Sequence, residues 1–356
     1  MEGVADMPPK DRKIMLCPNA SGPHLVLLKK YLEQEGAKVR MVSWFGKQTP
    51  FSVAQLIAYR LMGYRTLNIN WMPFNHRYQM RLVRGLCGIL GVHVIWTVHN
   101  LSPHSVQFGS READEAAMRY MIDWAEAGIV HSARTKEELQ KRYGTGLDIS
   151  VVPLANYFDL VHPADPAAAR RKLGFPEDKV IVLMLGPSRW NKGVRDYLEV
   201  MAQMPDKYHG VLAGGCRNEE IKELIGSCSR KHPGRFTVRL EHLSDEEVSE
   251  YFAASDVFFM PFEDITTSGS IMEALSRGKA VVTTDKGNNY MLVRNGENGY
   301  ISNDTGELAA RLRDIDRSRA KEMGERSLKI AETFSWDATA ESYSEVFDHV
   351  MEEGKA

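Results

Sequence analysis

Arg189 and Lys192 lie three residues apart in LGPSRWNKGV, Leu185–Val194, with Gly186 and Gly193 on either side. The segment follows an apolar strand-like run and leads into a helical pattern. Two cations at the carboxyl end of a strand, beside a helix start, suit a diphosphate. Solvated surface charge is the ordinary fate of lysine and arginine and accounts for the pair equally well when it is taken alone. A second turn changes that balance. The stretch PFEDITTSGSIMEALSRGKA, Pro261–Ala280, follows the apolar run Val257–Met260 and ends in another strand, Ala280–Thr283. Its Thr-Thr-Ser-Gly-Ser turn opens a short helix, and a helix start offers backbone N–H groups and a positive dipole end to an anion.

In this turn Ser268, Gly269 and Ser270 would hold a diphosphate. Glu273, one turn into the helix, would reach vicinal hydroxyls such as those of a ribose. Taken singly, the serines are plain N-caps and Glu273 is an exposed helix glutamate. Together the two turns make a sugar-nucleotide enzyme the leading expectation. Gly214, after Gly210–Ala213, and Glu241, His242 and Leu243, after Phe236–Leu240, share the same carboxyl edge and are candidates for a nucleobase pocket. The glycine permits close backbone approach, or simply a turn. In the first half, WTVHNLSPH (Trp96–His104) sets His99 and Asn100 at a strand end and His104 in the loop. A histidine there binds a sugar hydroxyl or shuttles a proton near neutral pH, although a lone histidine is more often structural. Asn19 and Ser21, in the loop after the first strand, are candidates for acceptor contact. Asp314-Ile315-Asp316 resembles a metal-binding aspartate pair, but it falls in the charged helical stretch Glu307–Lys321 with no strand before it. A solvated helix face is the expectation there. No metal and no cofactor beyond the donor substrate is expected.

The elements that must position these residues alternate along the chain. Strand-like runs fall at Lys13–Cys17, Lys38–Ser43, Arg65–Asn70, Val92–Val98, Gly128–His131 and Ile149–Pro153, with helical patterns between them. The pattern weakens over Ala155–Pro166 and restarts with strands at Val180–Leu185, Gly210–Ala213, Phe236–Leu240, Val257–Met260 and Ala280–Thr283. This is the signature of an α/β chain with parallel sheets: two doubly wound, Rossmann-like domains in series, residues 1–160 and 161–334. Ligands of such domains bind outside the carboxyl ends of the strands. Trp336, Ala340, Tyr343, Phe347 and Val350 form one face of a final amphipathic helix over 335–356, with Ser335 as its N-cap; a return across the domain junction is one option for it.

At 356 residues, 43% apolar, the chain is long enough for two cores, and a formal charge of −2 gives no reason to propose nucleic acid as partner. Cys17, Cys87, Cys216 and Cys228 are scattered without metal-type spacing, so a reducing cytosol is the simplest reading. The N-terminus lacks the apolar core of a signal peptide, and no run approaches the length of a membrane span. Over His76–Leu90, Arg77, Arg81 and Arg84 share a helix face, with Arg60 and Arg65 nearby and Leu82, Leu86, Ile89 and Leu90 adding apolar surface. Such a helix can lie peripherally on an anionic membrane. An ordinary surface helix with its apolar side in the core stands somewhat ahead of that reading.

Nearly the whole chain resembles GT-B glycosyltransferases of the large retaining, family 4-like class, which includes bacterial exopolysaccharide and lipid-linked glycan enzymes. The likeness is carried by Gly-x-x-Arg-x-x-Lys-Gly at Gly186–Gly193, by HLSDEEVSEYFAASDVFFMPF through ITTSGSIMEALSRGKAVV, by VRNGENGY at Val293–Tyr300 and by FSWDATAESYSEVF at Phe334–Phe347. It implies two domains facing across a cleft and a final helix crossing back to the first. It implies a hexose moved with retention from a UDP- or GDP-sugar to a glycan or lipid-linked acceptor. Arg189 and Lys192 would then hold the donor diphosphate, and His99 would line the cleft near the transferred sugar. One departure is visible. Many relatives carry two glutamates eight positions apart; Glu273 matches the second, but Ile265 stands at the first. Glu263 or Asp264, with Thr266 or Thr267, would take over contact with the sugar. The rival expectations are a catalytically weak nucleotide-sugar-binding subunit, a sugar-nucleotide epimerase and, ranked low because CPNASGPH lacks Gly-x-Gly-x-x-Gly, a dehydrogenase.

Overall fold

The computed structural model describes residues 12–20, 22–46, 48–101, 108 and 110–353. The chain divides into two compact units: one takes in the chain up to Leu154 together with Trp336 onward, and the other is Ala155–Ser335. The first opens with β1 (Lys13–Cys17), α1 (Pro23–Gln34), β2 (Lys38–Met41), α2 (Thr49–Leu61), β3 (Thr66–Asn70) and α3 (Arg77–Leu90). It continues through β4 (His93–Thr97), α4 (Arg111–Ile122), β5 (Ala127–Val130), α5 (Ala133–Tyr143) and β6 (Asp148–Val151). Its six strands are parallel in the order β2-β1-β3-β4-β5-β6. The order reverses between β1 and β3.

The second unit begins with α6 (Pro166–Leu173), β7 (Val180–Leu185), α7 (Val194–Ala202), β8 (Tyr208–Ala213), α8 (Glu219–Lys231), β9 (Phe236–Arg239) and α9 (Asp245–Ala254). Next come β10 (Val257–Met260), α10 (Gly269–Ser276), β11 (Ala280–Thr283), α11 (Asn289–Leu292), β12 (Gly299–Ile301), α12 (Thr305–Arg313) and α13 (Arg317–Glu332). Its parallel strands run β12-β11-β10-β7-β8-β9, so the order reverses between β7 and β10. Every residue of β7, β8, β10 and β11 is buried. Continuous apolar strands are what a parallel sheet covered on both faces requires.

Three segments differ from the sequence expectation. Pro166–Leu173 is a helix, N-capped by Asp165 and closed by a left-handed Gly174 (φ 67°); its shortness hid its period. The three-residue β12 had no pattern to find. The stretch read as one charged helix over Glu307–Lys321 breaks at Asp314–Asp316, because Ile315 is buried there and Asp316 caps α13 by accepting from the Arg319 N–H. The aspartate pair therefore lies in a helix-to-helix turn. The helix α14 (Trp336–Glu353) packs on α1 within the first unit, where Arg12 pairs with Asp348 at 2.9 Å, Ser344 donates to Glu35 at 2.7 Å and Trp336 stacks on Tyr31. Asn156 ties the two places where the chain passes between units, because its backbone and side-chain N–H groups both donate to the Phe334 carbonyl at 2.9 Å.

The position of α10 rests on a close backbone contact. Gly324 of α13 presses on the turn at its end, and a Cβ at 324 would lie 2.1 Å from the Gly278 carbonyl oxygen. Ser327, one turn later, donates to the Lys279 carbonyl at 2.7 Å. Gly324→Ala is expected to lower unfolding stability by about 1–3 kcal/mol, the usual cost of overpacking, measured by urea denaturation at constant m-value. Wild-type stability would show that the two backbones are not in contact.

Candidate active site

The reversal point of a doubly wound sheet is where loops diverge to opposite faces and open a crevice at the carboxyl edge. In the second unit the loops flanking that point follow β7 and β10, and they are the two turns singled out from the sequence. Gly193 lets them meet: its φ is 74°, and a Cβ there would sit 1.7 Å from the Pro261 carbonyl oxygen. Asn191 then stitches the loops. Its carbonyl accepts from the Glu263 N–H at 3.0 Å and its side-chain amide donates to the Asp264 carbonyl at 3.1 Å. Lys192 crosses the gap and donates to Ser270 Oγ at 3.3 Å. On the other side Ser188 donates its N–H to the Gly215 carbonyl, and Gly214 (φ 120°) packs against the backbone of Gly186.

The electrostatics suit an anion. Burial, with the nearby Arg189, pushes the Lys192 ammonium down to about 8, while Glu273 partly opposes the shift. Arg189 is exposed, and its side chain has no hydrogen-bond partner among the described residues. The Gly269 and Ser270 N–H groups, the first two of α10, likewise have no partner among the described residues. Ser268 does not share that freedom: its Oγ caps the Ile271 N–H at 3.2 Å and its own N–H is taken by Asn288 Oδ1 at 2.9 Å. The anion-ready part of the turn is therefore narrower than expected, Gly269 and Ser270. Glu273 is not an exposed helix glutamate; burial raises its carboxyl above the usual range, and Arg277 pairs with it at 3.1 Å. Thr267 has a buried hydroxyl with no partner among the described residues. Glu263 and Asp264 are exposed, and Thr266 accepts the Asn288 N–H at its carbonyl. Glu241 and His242 are exposed and Leu243 buried, all following the edge strand β9, with Glu241 paired to Arg239.

In the first unit a buried polar chain runs along the carboxyl ends of β3, β4 and β5. Thr97 Oγ1 lies 2.9 Å from the Asn68 amide, which lies 2.8 Å from that of Asn70. The Asn70 amide is 3.0 Å from His99 Nε2, His99 Nδ1 is 3.1 Å from His131 Nε2, and His131 Nδ1 is 2.8 Å from the Val152 carbonyl. That carbonyl can only accept, so His131 carries its proton on Nδ1 and presents Nε2 as an acceptor. The Asn70 amide turns its oxygen to His99 Nε2 and its NH2 to Asn68 Oδ1, and the Asn68 NH2 donates to Thr97 Oγ1 and the Ile95 carbonyl, so His99 donates from Nε2. Burial disfavours the charged form of both rings: the imidazole of His99 is held well below its usual range and that of His131 is pushed down to about 4.

His24 completes the cluster, edge-on to His99 at 4.9 Å between ring centres, with a nitrogen of each of the three rings within 4.8 Å of the others. That spacing is of the order a zinc site needs. Among the described residues His24 Nδ1 is buried without a partner. Both nitrogens of His99 face neighbours, Asn70 and His131, at variance with the expectation of a histidine free to shuttle a proton. Trp71 stacks on the His99 ring at 4.3 Å from a left-handed backbone conformation (φ 56°), held by the Trp96 indole donating to its carbonyl at 3.0 Å. Asn100 is half-buried beside this chain in sequence, and the Asn19 side chain is exposed. Ser21 and His104 lie outside the described residues. Sequence reasoning missed Asn191, Asn288 and His131; only His131, at the end of a strand, met the rule that singled out His99.

The comparisons with known proteins agree with this fold. Residues 165–329 match the family of glycosyl transferases group 1. The chain is 26% identical over 303 residues to alpha-maltose-1-phosphate synthase of Mycolicibacterium smegmatis, covering 78% of each. Its structure is similar to sucrose-phosphate synthase from Thermosynechococcus elongatus (TM-score 0.75, 19% identity, 97% of this chain and 100% of that one). It is also similar to Anabaena Alr3699/HepE in complex with UDP and glucose (TM-score 0.74, 17% identity, 96% and 100%). The fold is GT-B, and the match to the glycosyl transferases group 1 is borne by the second unit alone.

Neutral buried imidazoles make acid destabilising. His131 titrates near 6.5 when unfolded and near 4 when folded, so its contribution is fully present above pH 6.5 and is lost as pH falls toward 4. The loss amounts to about 3 kcal/mol for this ring. Urea midpoints measured from pH 7 to 4 are expected to fall accordingly, and His131→Gln to flatten the slope. An unchanged slope in the variant would remove the assignment.

Proposed function

We propose that the chain moves a hexose from a nucleoside diphosphate sugar to a glycan or lipid-linked acceptor, with retention and without a metal. The observation that carries this reading is the contact of Lys192, with Arg189 nearby, to Ser270 at the start of α10, whose Gly269 and Ser270 N–H groups have no partner among the described residues, at the reversal point of the second sheet. As the bond from sugar to diphosphate breaks, negative charge grows on the departing phosphate. Fixed cations and N–H groups at that point stabilise the transition state more than the ground state. They also supply the counter-charge that a divalent ion would otherwise provide. Uridine is the base we favour, because the Anabaena relative is described in complex with UDP and glucose. We assign Glu273, held by Arg277, to the ribose, and Thr267, Glu263 and Asp264 to the sugar. His99 positions rather than transfers protons.

Removing one fixed donor from such a site costs roughly 3–4 kcal/mol. Arg189→Ala and Lys192→Ala are each expected to lower kcat by about a hundredfold or more; wild-type turnover in both would sink the proposal. Lys192 adds a pH signature. Only its protonated form attracts phosphate, and the free protein loses that proton above about pH 8. UDP affinity measured by calorimetry is therefore expected to fall by about tenfold per pH unit above 8. Lys192→Met should abolish that slope, and a slope persisting in the variant would assign the titration to another group.

A further inference from the structure

From Gly36 to Arg111 the sequence contains nine lysines and arginines and none of the chain's 47 acidic residues. The same region holds eight of the eleven large apolar side chains exposed among the described residues. In α3, Tyr78, Leu82 and Ile89 are 64%, 52% and 85% exposed. They stand at i, i+4 and i+11, a single stripe on the helix. Met80, Val83 and Cys87 occupy the opposite side and are buried. This helix is thus apolar on two faces, only one of which the core uses. Arg77 and Arg81 run along the edge of the exposed stripe and are themselves exposed. Leu61 and Met62, at the end of α2, are 83% and 50% exposed, and Arg60 of that helix donates to the Leu90 carbonyl, which joins the ends of α2 and α3.

We propose that this α2–α3 face docks on an anionic phospholipid bilayer. Exposed aliphatic stripes of this kind are uncommon on soluble surfaces and mark an interaction. Charge decides the partner: a surface with cations at its edge and no carboxylate in its stretch of chain repels basic partners and attracts anionic headgroups, each arginine adding about 1 kcal/mol near such a surface. The leucine and isoleucine side chains fit hydrocarbon rather than nucleobases, which are held by aromatic stacking. Docking of this kind would hold the enzyme where a lipid-anchored acceptor is displayed, although the surface argument stands apart from the sugar-transfer reading.

Co-sedimentation of the full chain with vesicles tests it. Binding is expected to phosphatidylcholine vesicles containing phosphatidylglycerol, to weaken with added salt, and to be slight with phosphatidylcholine alone. Leu82→Ser with Ile89→Ser should lower partitioning by on the order of tenfold or more. Arg77→Ser with Arg81→Ser should remove most of the preference for anionic lipid. Both variants should keep wild-type UDP affinity and thermal stability, which separates a failed surface from a failed fold or donor site. Absence of binding, or equal binding to neutral and anionic vesicles, would overturn the proposal. So would a dimer in gel filtration that the Leu82→Ser, Ile89→Ser pair dissolves, since the partner of the face would then be a second copy.

Discussion

The donor-side chemistry depends on one backbone contact, the approach of Gly193 to the Pro261 carbonyl. Strands β7 and β10 are neighbours in the sheet although the chain from Leu185 to Val257 lies between them in sequence. Only where one loop has no side chain in the way can the two close on each other. A residue with a Cβ fails at that position twice, because its backbone is left-handed and because the carbonyl occupies the space. Once the contact is made, Asn191 reaches the second loop and Lys192 reaches Ser270 at the start of α10. A lysine three residues from an arginine is unremarkable in a sequence. A lysine pinned across a sheet's reversal point is a counter-ion waiting for an anion.

Holding Lys192 there has a cost. Its ammonium is pushed down to about 8, a penalty of about 3 kcal/mol that the native state carries near neutral pH. Glu273 carries the opposite strain, since burial raises its carboxyl, and Arg277 offsets part of that. Such penalties are borne where a ligand relieves them. A diphosphate near Lys192 would return the ammonium toward its ordinary range, so part of the binding energy is already stored in the free protein.

Much of this was legible in the sequence, for identifiable reasons. The parallel strands could be read because buried strands are continuous apolar runs, and both phosphate-type turns because glycine and small hydroxyl residues at strand ends are rare enough to notice. What stayed hidden was partnership. Ser268 reads like Ser270, yet Asn288, 20 positions away, takes its N–H and leaves only its neighbours free. His99 reads as a lone histidine, yet Asn70 and His131 hold both its nitrogens. The Asp314–Asp316 pair was set aside as a helix face, and its true setting, a turn around buried Ile315, follows from packing that no local pattern encodes.

The two units solve opposite electrostatic problems. The first buries three histidines together, and burial disfavours the charged form of each. The second leaves a cation and two N–H groups without partners among the described residues. In the proposed reaction the acceleration comes from stabilising the charge on the leaving group. The group that matters for rate is then the one whose interaction grows as the bond breaks, and in this chain that is the cationic bend at Arg189 and Lys192. In the first unit the His99 ring faces Asn70 and His131 with its two nitrogens and stacks on Trp71, which makes it a rigid part of that sheet's carboxyl edge.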